Sequence, residues 1–271
     1  MLYRYGLSLG IRLLLRGRLR WALPYLIRPV NYWRNVEYAA ALRLGGFKPG
    51  QQVLDIGSPK LLALYLAEHR VQVTATDIDP YFVKKLSCLR ELRGISSADL
   101  RLEVCDGRDT GFDDQTFDRV YSISVIEHIP DDGDADCMRE IGRVLRPGGR
   151  CVITVPFWRE SRVDYSDGGF YWAEASTRDD RGVFYQRRYS EDDLFCRLIR
   201  PSGMRVRSLT YVGERVLTAS QREVSDYLPA MTGPAQPLLS RVLHVGPVDD
   251  WRSLEKPLCA VLSMEKTGPL E

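Results

Sequence analysis

No apolar stretch in these 271 residues approaches the roughly 20 needed to span a bilayer, so a transmembrane helix is not expected. The N-terminus does not read as a signal peptide either, because Arg12, Arg16, Arg18 and Arg20 interrupt every candidate apolar core. The six cysteines form no C-x-x-C pair and show no short spacing of the kind that builds a zinc site. They read as buried or half-buried thiols in a reducing compartment, and a cytoplasmic location is expected. Internal repeats and low-complexity segments are absent. Acids are nearly missing from residues 1–50, which hold nine Lys or Arg and only Glu37 on the other side. The remainder carries 29 basic and 35 acidic residues, so the basic character sits in an N-terminal arm. That arm has no recognisable nucleic-acid module and the rest is acidic, which argues against a nucleic-acid partner.

What is present is ordinary globular chemistry, 44% hydrophobic and 27% charged. Residues 2–21 read as a basic amphipathic helix. Tyr3, Leu7, Ile11 and Leu14 fall on one side, and Arg12, Arg16 and Arg20 stack at i, i+4 on another. Pro24 and Pro29 break that pattern. A second helix is expected over 32–44, ending at Gly45-Gly46, and Pro49-Gly50 is a boundary. The chain thus divides into an arm or cap, 1–48, and a main domain, 49–271, with insertions at about 156–189 and 216–250. The arm packs over the sheet or the active site. Alternatively residues 1–28 bind an anionic membrane surface or a lipid-linked substrate, with a peripheral-membrane location.

From residue 52 onward, strand patterns alternate with helical ones. Strands are expected at 53–56, 71–76, 100–105, 117–123, 150–155, 204–212 and 258–264. Helices are expected at 59–69, 80–93, 134–144 and 190–199. This alternation predicts an α/β fold, a Rossmann-like, mostly parallel sheet with helices on both faces. In such sheets ligands sit beyond the carboxyl ends of the strands, near the topological switch point. Asp55, Asp77 and Asp106 end the first three strands, and Ser122 and Ser124 lie at the end of the fourth. An acid closing the second strand is placed to accept hydrogen bonds from a ribose diol. Segment 156–189 is irregular, aromatic and charged. Its Phe157, Trp158, Tyr165, Phe170, Tyr171 and Trp172 form either a substrate wall or the core of a packed loop.

The stretches "VLDIGSPKLLALYLA", "VTATDID", "VCDGRDTGFDDQTFDRVYSISVIEHI" and "RVLRPGGRCVITVP" occur in this order. Together they resemble the successive motifs of the class I S-adenosylmethionine-dependent methyltransferases, over about residues 50–157. "RRYSEDDL" and two closing strands extend the likeness weakly to about 266. The resemblance implies a seven-stranded sheet with its last strand antiparallel, S-adenosyl-L-methionine as cofactor and a small-molecule methyl acceptor. It further implies that Asp55 and Gly57 lie beside the methionine part, that Asp77 binds the ribose hydroxyls and that Ile78 covers the adenine. Asp106 would receive the adenine amino group with Gly107 adjacent, and Ser122, Ile123 and Ser124 would line the floor.

The loop after the first strand departs from the family's D-x-G-x-G-x-G. Gly57 is kept, but Pro59 and Leu61 stand in the places of the second and third glycines. Pro59 lacks an N–H, so any contact from that amide is lost. Ser58-Pro59 nonetheless suits a helix start, with Ser58 as N-cap and Pro59 at the first helical position. The helix N-terminus can then point at a carboxylate.

Glu127-His128 is the candidate catalytic pair. His128 serves either as general base or in a structural or cofactor-contacting role. Quinone-type O-methyltransferases use an acid-x-x-Glu-His pattern for a metal, but Ser124 replaces the first acid here, so no metal is expected. The expected reaction is transfer of a methyl group to an O or N of a small molecule. The alternatives are a non-methylating or non-catalytic protein on the same fold, which the altered glycine loop favours, and a nicotinamide dehydrogenase. The missing G-x-G-x-x-G turn disfavours the latter. Oligomeric state is not legible.

Overall fold

The structure, a computed structural model, describes residues 1–166, 178–215 and 235–268. Helices α1 (Leu2–Leu15), α2 (Leu19–Ile27) and α3 (Tyr32–Gly45) come first. Then β1 (Gln52–Ile56), α4 (Leu61–Glu68), β2 (Gln72–Asp77), α5 (Pro80–Arg93), β3 (Leu100–Val104) and β4 (Phe117–Ile123) alternate as the sequence predicts. A 3-10 turn, Ile126–His128, leads to α6 (Gly133–Val144) and β5 (Leu145–Pro156). Beyond it lie β6 (Arg162–Ser166), β7 (Arg178–Asp179) and β8 (Gly182–Arg188). Helix α7 is made of three joined pieces, Glu191–Asp193, Leu194–Ile199 and Arg200–Ser202, the middle one π-helical. β9 (Arg205–Glu214), α8 (Gln236–Leu243), β10 (His244–Val248) and β11 (Pro257–Glu265) close the chain.

The main sheet runs β10-β9-β11-β5-β4-β1-β2-β3. β3, β2, β1, β4 and β5 pair in parallel, while β11 and β10 pair antiparallel with their neighbours. The strand order reverses between β1 and β4, so the crevice at the switch point opens beyond Ile56 and Ile123. Adjacent residues alternate between the two faces, as a pleated strand requires. Val53, Tyr121, Val152 and Val261 join the core under α1, α3, α4 and α5. Leu54, Val120, Ile153 and Leu262 join the core under α6 and α7. The arm therefore forms part of one helical layer.

Several details differ from the expectation. The expected helix over 2–21 is two helices, turned at Gly17 (φ +69°), and Pro24 lies inside α2 rather than ending a helix. Proline there, the sixth of the nine residues of α2, forgoes one backbone bond, that to the Arg20 carbonyl. α1 and α2 pack so closely that a Cβ on Gly10 would come within 3.0 Å of the Leu26 nitrogen and of Tyr25 Cβ. The sheet has eight strands instead of seven, because part of the 216–250 insertion supplies edge strand β10; residues 216–234 lie outside the described residues. The described parts of segment 156–189 are less irregular than expected, since β6, β8 and β7 form a small antiparallel sheet; residues 167–177 lie outside the described residues. Phe157 is core, 4.6 Å from the ring of Tyr211, whereas Phe170, Tyr171 and Trp172 lie outside the described residues. Ser190 does cap α7, accepting from the Asp193 N–H at 3.2 Å.

Candidate functional site

A cavity of about 950 Å³ opens at the carboxyl ends of β1, β2 and β4. One wall comes from the turns after those strands and after β3, the other from α2, α3 and the segment joining them. β8 closes one side through Phe184 and Tyr185.

β1 runs straight into the turn at Gly57, whose φ is +65°, a conformation that side chains resist. The glycine is needed twice over, because a Cβ there would lie 2.7 Å from Val125 Cγ1. Gly57 thus lets the turns after β1 and β4 approach each other. Asp55 is fully buried and does not line the cavity. Its Oδ1 accepts from the Ser58 N–H at 3.0 Å, while Oδ2 has no hydrogen-bond partner. Burial pushes its carboxyl up to about 6, opposed by nearby Lys60.

Ser58 is not the helix cap that the sequence suggests. Its side chain is buried, and its Oγ accepts from the Ile123 N–H at 2.9 Å, fastening the end of β1 to β4. Lys60 takes the cap position, and Pro59 lies ahead of the helix. With Ser58 committed across the sheet, the helix cannot start at residue 59. Ser122 and Ile123 are buried beneath the floor, Ser122 Oγ donating to the Ile56 carbonyl at 3.1 Å. Ser124 and Val125 line the cavity itself, and Ser124 adopts a left-handed φ of +49°.

Asp77 ends β2 at the cavity edge. Its Oδ1 accepts from the Asp79 N–H at 3.0 Å, and Oδ2 pairs with Lys60 Nζ at 2.7 Å. Ile78 presents an apolar face that is 53% exposed. Asp79 caps α5, accepting from the Tyr81 N–H at 2.7 Å. Asp106 lies on the same wall and is gripped by Arg108, whose Nη2 stands 2.6 Å from Oδ2. Burial would raise its carboxyl, but the Arg108 hydrogen bonds win and hold it below the usual range. Gly107 faces Ile56 so closely that a Cβ would reach Ile56 Cγ2 at 2.9 Å.

Glu127 and His128 occupy the 3-10 turn after β4. Glu127 is buried, its Oε2 unpartnered, and burial together with nearby Glu37 raises its carboxyl to about 8. His128 lines the cavity, its Nδ1 lying 2.7 Å from the Tyr185 carbonyl. A carbonyl only accepts, so the proton sits on Nδ1 and the lone pair on Nε2. Burial lowers the imidazole to about 4, so it is neutral at physiological pH.

The motif reading missed the residues supplied by the arm. Glu37 of α3 is 1% exposed and accepts from Thr154 Oγ1 at 2.9 Å, from Ser124 Oγ and from Arg34 Nη1 at 2.6 Å. Tyr38 donates to the Pro59 carbonyl at 3.3 Å. One signal pointed to Glu37: it is the sole acid in the first 50 residues. Among the described residues, no group of His, Cys, Asp and Glu is arranged to hold a metal ion, and no helix is long and apolar enough to cross a membrane.

Residues 54–153 match the family described as a methyltransferase domain. Over 134 residues the chain is 31% identical to phosphoethanolamine N-methyltransferase 2 of Caenorhabditis elegans, covering 48% of this chain and 29% of that protein. It is 32% identical over 111 residues to phosphatidylethanolamine N-methyltransferase of Cereibacter sphaeroides, covering 41% and 53%. The matched region thus spans about half or less of these relatives' lengths. In fold, the chain resembles the [4+2]-cyclase SpnF, with a TM-score of 0.56, 21% identity, and 86% and 80% of the two chains covered. It also resembles geranyl diphosphate C-methyltransferase of Streptomyces coelicolor A3(2), solved with Mg2+, geranyl diphosphate and S-adenosyl-L-homocysteine. There the TM-score is 0.54 at 12% identity, with 86% and 79% covered.

Proposed function

We propose that this chain, whose residues 54–153 match the methyltransferase-domain family, is a class I S-adenosylmethionine-dependent methyltransferase that transfers the methyl group of S-adenosylmethionine to an O or N of a small molecule. One observation carries the reading. The motif residues Gly57, Asp77, Ile78, Asp106 and Gly107 line a single cavity of about 950 Å³, large enough for a nucleoside-sized ligand together with an acceptor.

The residues fit the cofactor in kind. Gly57 lines the cavity at the switch point, where the turns after β1 and β4 meet. Asp77 would take the ribose hydroxyls, its carboxylate having capacity beyond the Asp79 and Lys60 bonds. Ile78 would cover the adenine face, and Asp106 with Gly107 would border its edge. Lys60, which stands near the place of a lost glycine, is paired with Asp77 and donates to the Thr76 carbonyl, which leaves one N–H that would reach a cofactor carboxylate. When bound, the cofactor supplies an electrophilic methyl group on a sulfonium.

The chain's own contribution is orientation and proton removal. His128, neutral with its lone pair on Nε2, would take the proton of the acceptor's O–H or N–H as the new bond to the methyl carbon forms. Glu127 stays protonated and buried at neutral pH and shapes the turn that holds His128. The acceptor would occupy the side of the cavity facing Arg20, Trp21, Tyr25 and Arg34. The names of the two N-methyltransferase relatives point to an amine acceptor, a small one in phosphoethanolamine and a lipid headgroup in phosphatidylethanolamine.

Calorimetric titration with S-adenosylmethionine, S-adenosylhomocysteine and NAD tests the reading. Binding of the first two and not the third is the expected result. A folded protein that binds none of the three would instead be a non-methylating member of the fold, with the Pro59 loop as the cause.

A further inference from the structure

α1 and α2 leave a face that the fold does not use. Ile11, Leu14 and Leu15 on α1 and Leu19, Leu23 and Ile27 on α2 are all exposed, Leu15 at 80% and Leu19 at 53%. Leu19, Leu23 and Ile27 follow at i, i+4, i+8, so they form one stripe. The inward stripes are already filled: Leu9, Leu13 and Ala22 are buried in the core. The hairpin itself is firmly held, by the close contact at Gly10 and by Gly6, whose Cβ position lies 3.0 Å from Pro29.

The same surface is strongly basic. Arg12, Arg16, Arg18 and Arg20 are exposed around the apolar residues, and no acid precedes Glu37. At the bend, every residue from 14 to 20 is exposed, in the order Leu, Leu, Arg, Gly, Arg, Leu, Arg. Apolar side chains ringed by arginines with no acid among them complement a layer with an apolar interior and anionic headgroups. A protein partner of matching shape would need acids to answer the arginines and an apolar patch between them. A second copy of this surface would oppose arginine to arginine. The site described above adds a second indication. Trp21, Pro24, Tyr25 and Arg28 of α2 line the cavity on the side away from the Leu19-Leu23-Ile27 stripe. The cavity rim and the free face thus share one short helix.

We propose that the α1–α2 hairpin docks on the surface of an anionic phospholipid bilayer. Leu14, Leu15, Leu19 and Leu23 enter the headgroup–acyl boundary, Arg12, Arg16 and Arg18 face lipid phosphates, and the cavity rim, with Arg20, comes to lie at the bilayer. The hairpin lies on the membrane and does not cross it. This docking needs neither cofactor nor methyl transfer, so it stands or falls separately from the catalytic reading.

Flotation of the full chain with vesicles tests it, using phosphatidylglycerol mixed with phosphatidylcholine against phosphatidylcholine alone, at low and high salt. The expected result is at least about tenfold stronger partition into the anionic vesicles, weakened by salt. Leu15→Asp/Leu19→Asp and, separately, Arg16→Glu/Arg18→Glu should each abolish flotation, with circular dichroism and S-adenosylmethionine titration as in the parent. The second variant alters only the exposed bend, so folding cannot confuse both tests. Three results would overturn the proposal: a parent that ignores anionic vesicles at low salt, equal partition into neutral vesicles, or charge-reversed protein that floats as the parent does. A parent that fails to float and is a dimer in solution, made monomeric by Leu15→Asp/Leu19→Asp, would assign the face to a second copy instead.

Discussion

The strand-end wall of the cavity presents Asp77, Asp79 and Asp106, and the arm wall presents Arg20, Arg28 and Arg34. The acids each have a short-range bond that fixes them, to which Asp77 adds its ion pair with Lys60. Asp77 accepts from the N–H two residues on, Asp79 does the same at the start of α5, and Asp106 is clamped by Arg108. Such local bonds fix a carboxylate wherever the turn recurs, whatever else packs nearby. The arginines are placed by tertiary packing. Arg34 reaches the cavity because α3 lies across the ends of β4 and β5, held there by Glu37 on Ser124 and Thr154. One wall is therefore set by turns and the other by docking. In the proposed reading the first receives the cofactor's hydroxyls and the second faces the acceptor.

The largest expected effect breaks the strand-end wall. Asp77→Ala should weaken S-adenosylmethionine binding by about 10- to 1000-fold, because hydrogen bonds to a charged group contribute roughly 1.5–3 kcal/mol each. Titration calorimetry reads this directly, and a variant that binds like the parent would remove Asp77 from the cofactor site. The joint between the walls comes next. Glu37→Ala strips a buried partner from Arg34, Ser124 and Thr154, and should cost about 3 kcal/mol in urea unfolding. An unchanged midpoint would mean that α3 is docked by its apolar contacts alone.

His128→Ala should lower turnover roughly 100-fold while leaving cofactor affinity nearly unchanged. With the imidazole lowered to about 4, the acid limb of kcat/KM should fall near pH 4 rather than near the ordinary histidine value. Equal loss of cofactor binding would place His128 against the cofactor instead.

The smallest effect concerns Glu127. Its folded value of about 8 lies above the unfolded carboxyl value of 4.5, so the folded state holds the extra proton between those limits. Its contribution to stability is complete below the unfolded value and declines as pH rises through about 8. Glu127→Gln should flatten the fall in melting temperature between pH 6 and 9, by a few degrees. A variant whose melting curve tracks the parent's at every pH would show that Glu127 is already ionised when folded.

The difference between the walls also explains what could be read from sequence. β1, β2 and β4 are short runs rich in Val, Ile, Thr and aromatic residues with an acid or a serine at or next to the carboxyl end, and their order along the chain is enough to assign the sheet. Gly57, Asp77, Ile78, Asp106 and Gly107 were legible for the same reason, being fixed by their place after a strand. Ser58 misled because a serine before a proline is locally an excellent cap, and only the partner strand, 65 residues away, reveals that its oxygen is taken. Arg34, Glu37 and Tyr185 carried no motif, since their roles depend on contacts with distant segments. β10 was hidden in a proline-bearing insertion, with no apolar alternation to mark an edge strand that pairs on one side only.

Glu37 has one more consequence, for descent rather than for folding. Its carboxylate ties three positions spread over 117 residues of chain into one unit of inheritance. A descendant that lost α3 would leave the Ser124 and Thr154 side chains at the floor without their acceptor, and one that changed either hydroxyl would strip a bond from a carboxylate with almost no solvent. Drift at any of the three is thus expected to draw the others with it. Among related chains, an acid at position 37 should travel with hydroxyls at 124 and 154, and chains without the arm should lack the pair. An alignment in which the three positions vary independently would show that the arm was added to a floor already complete.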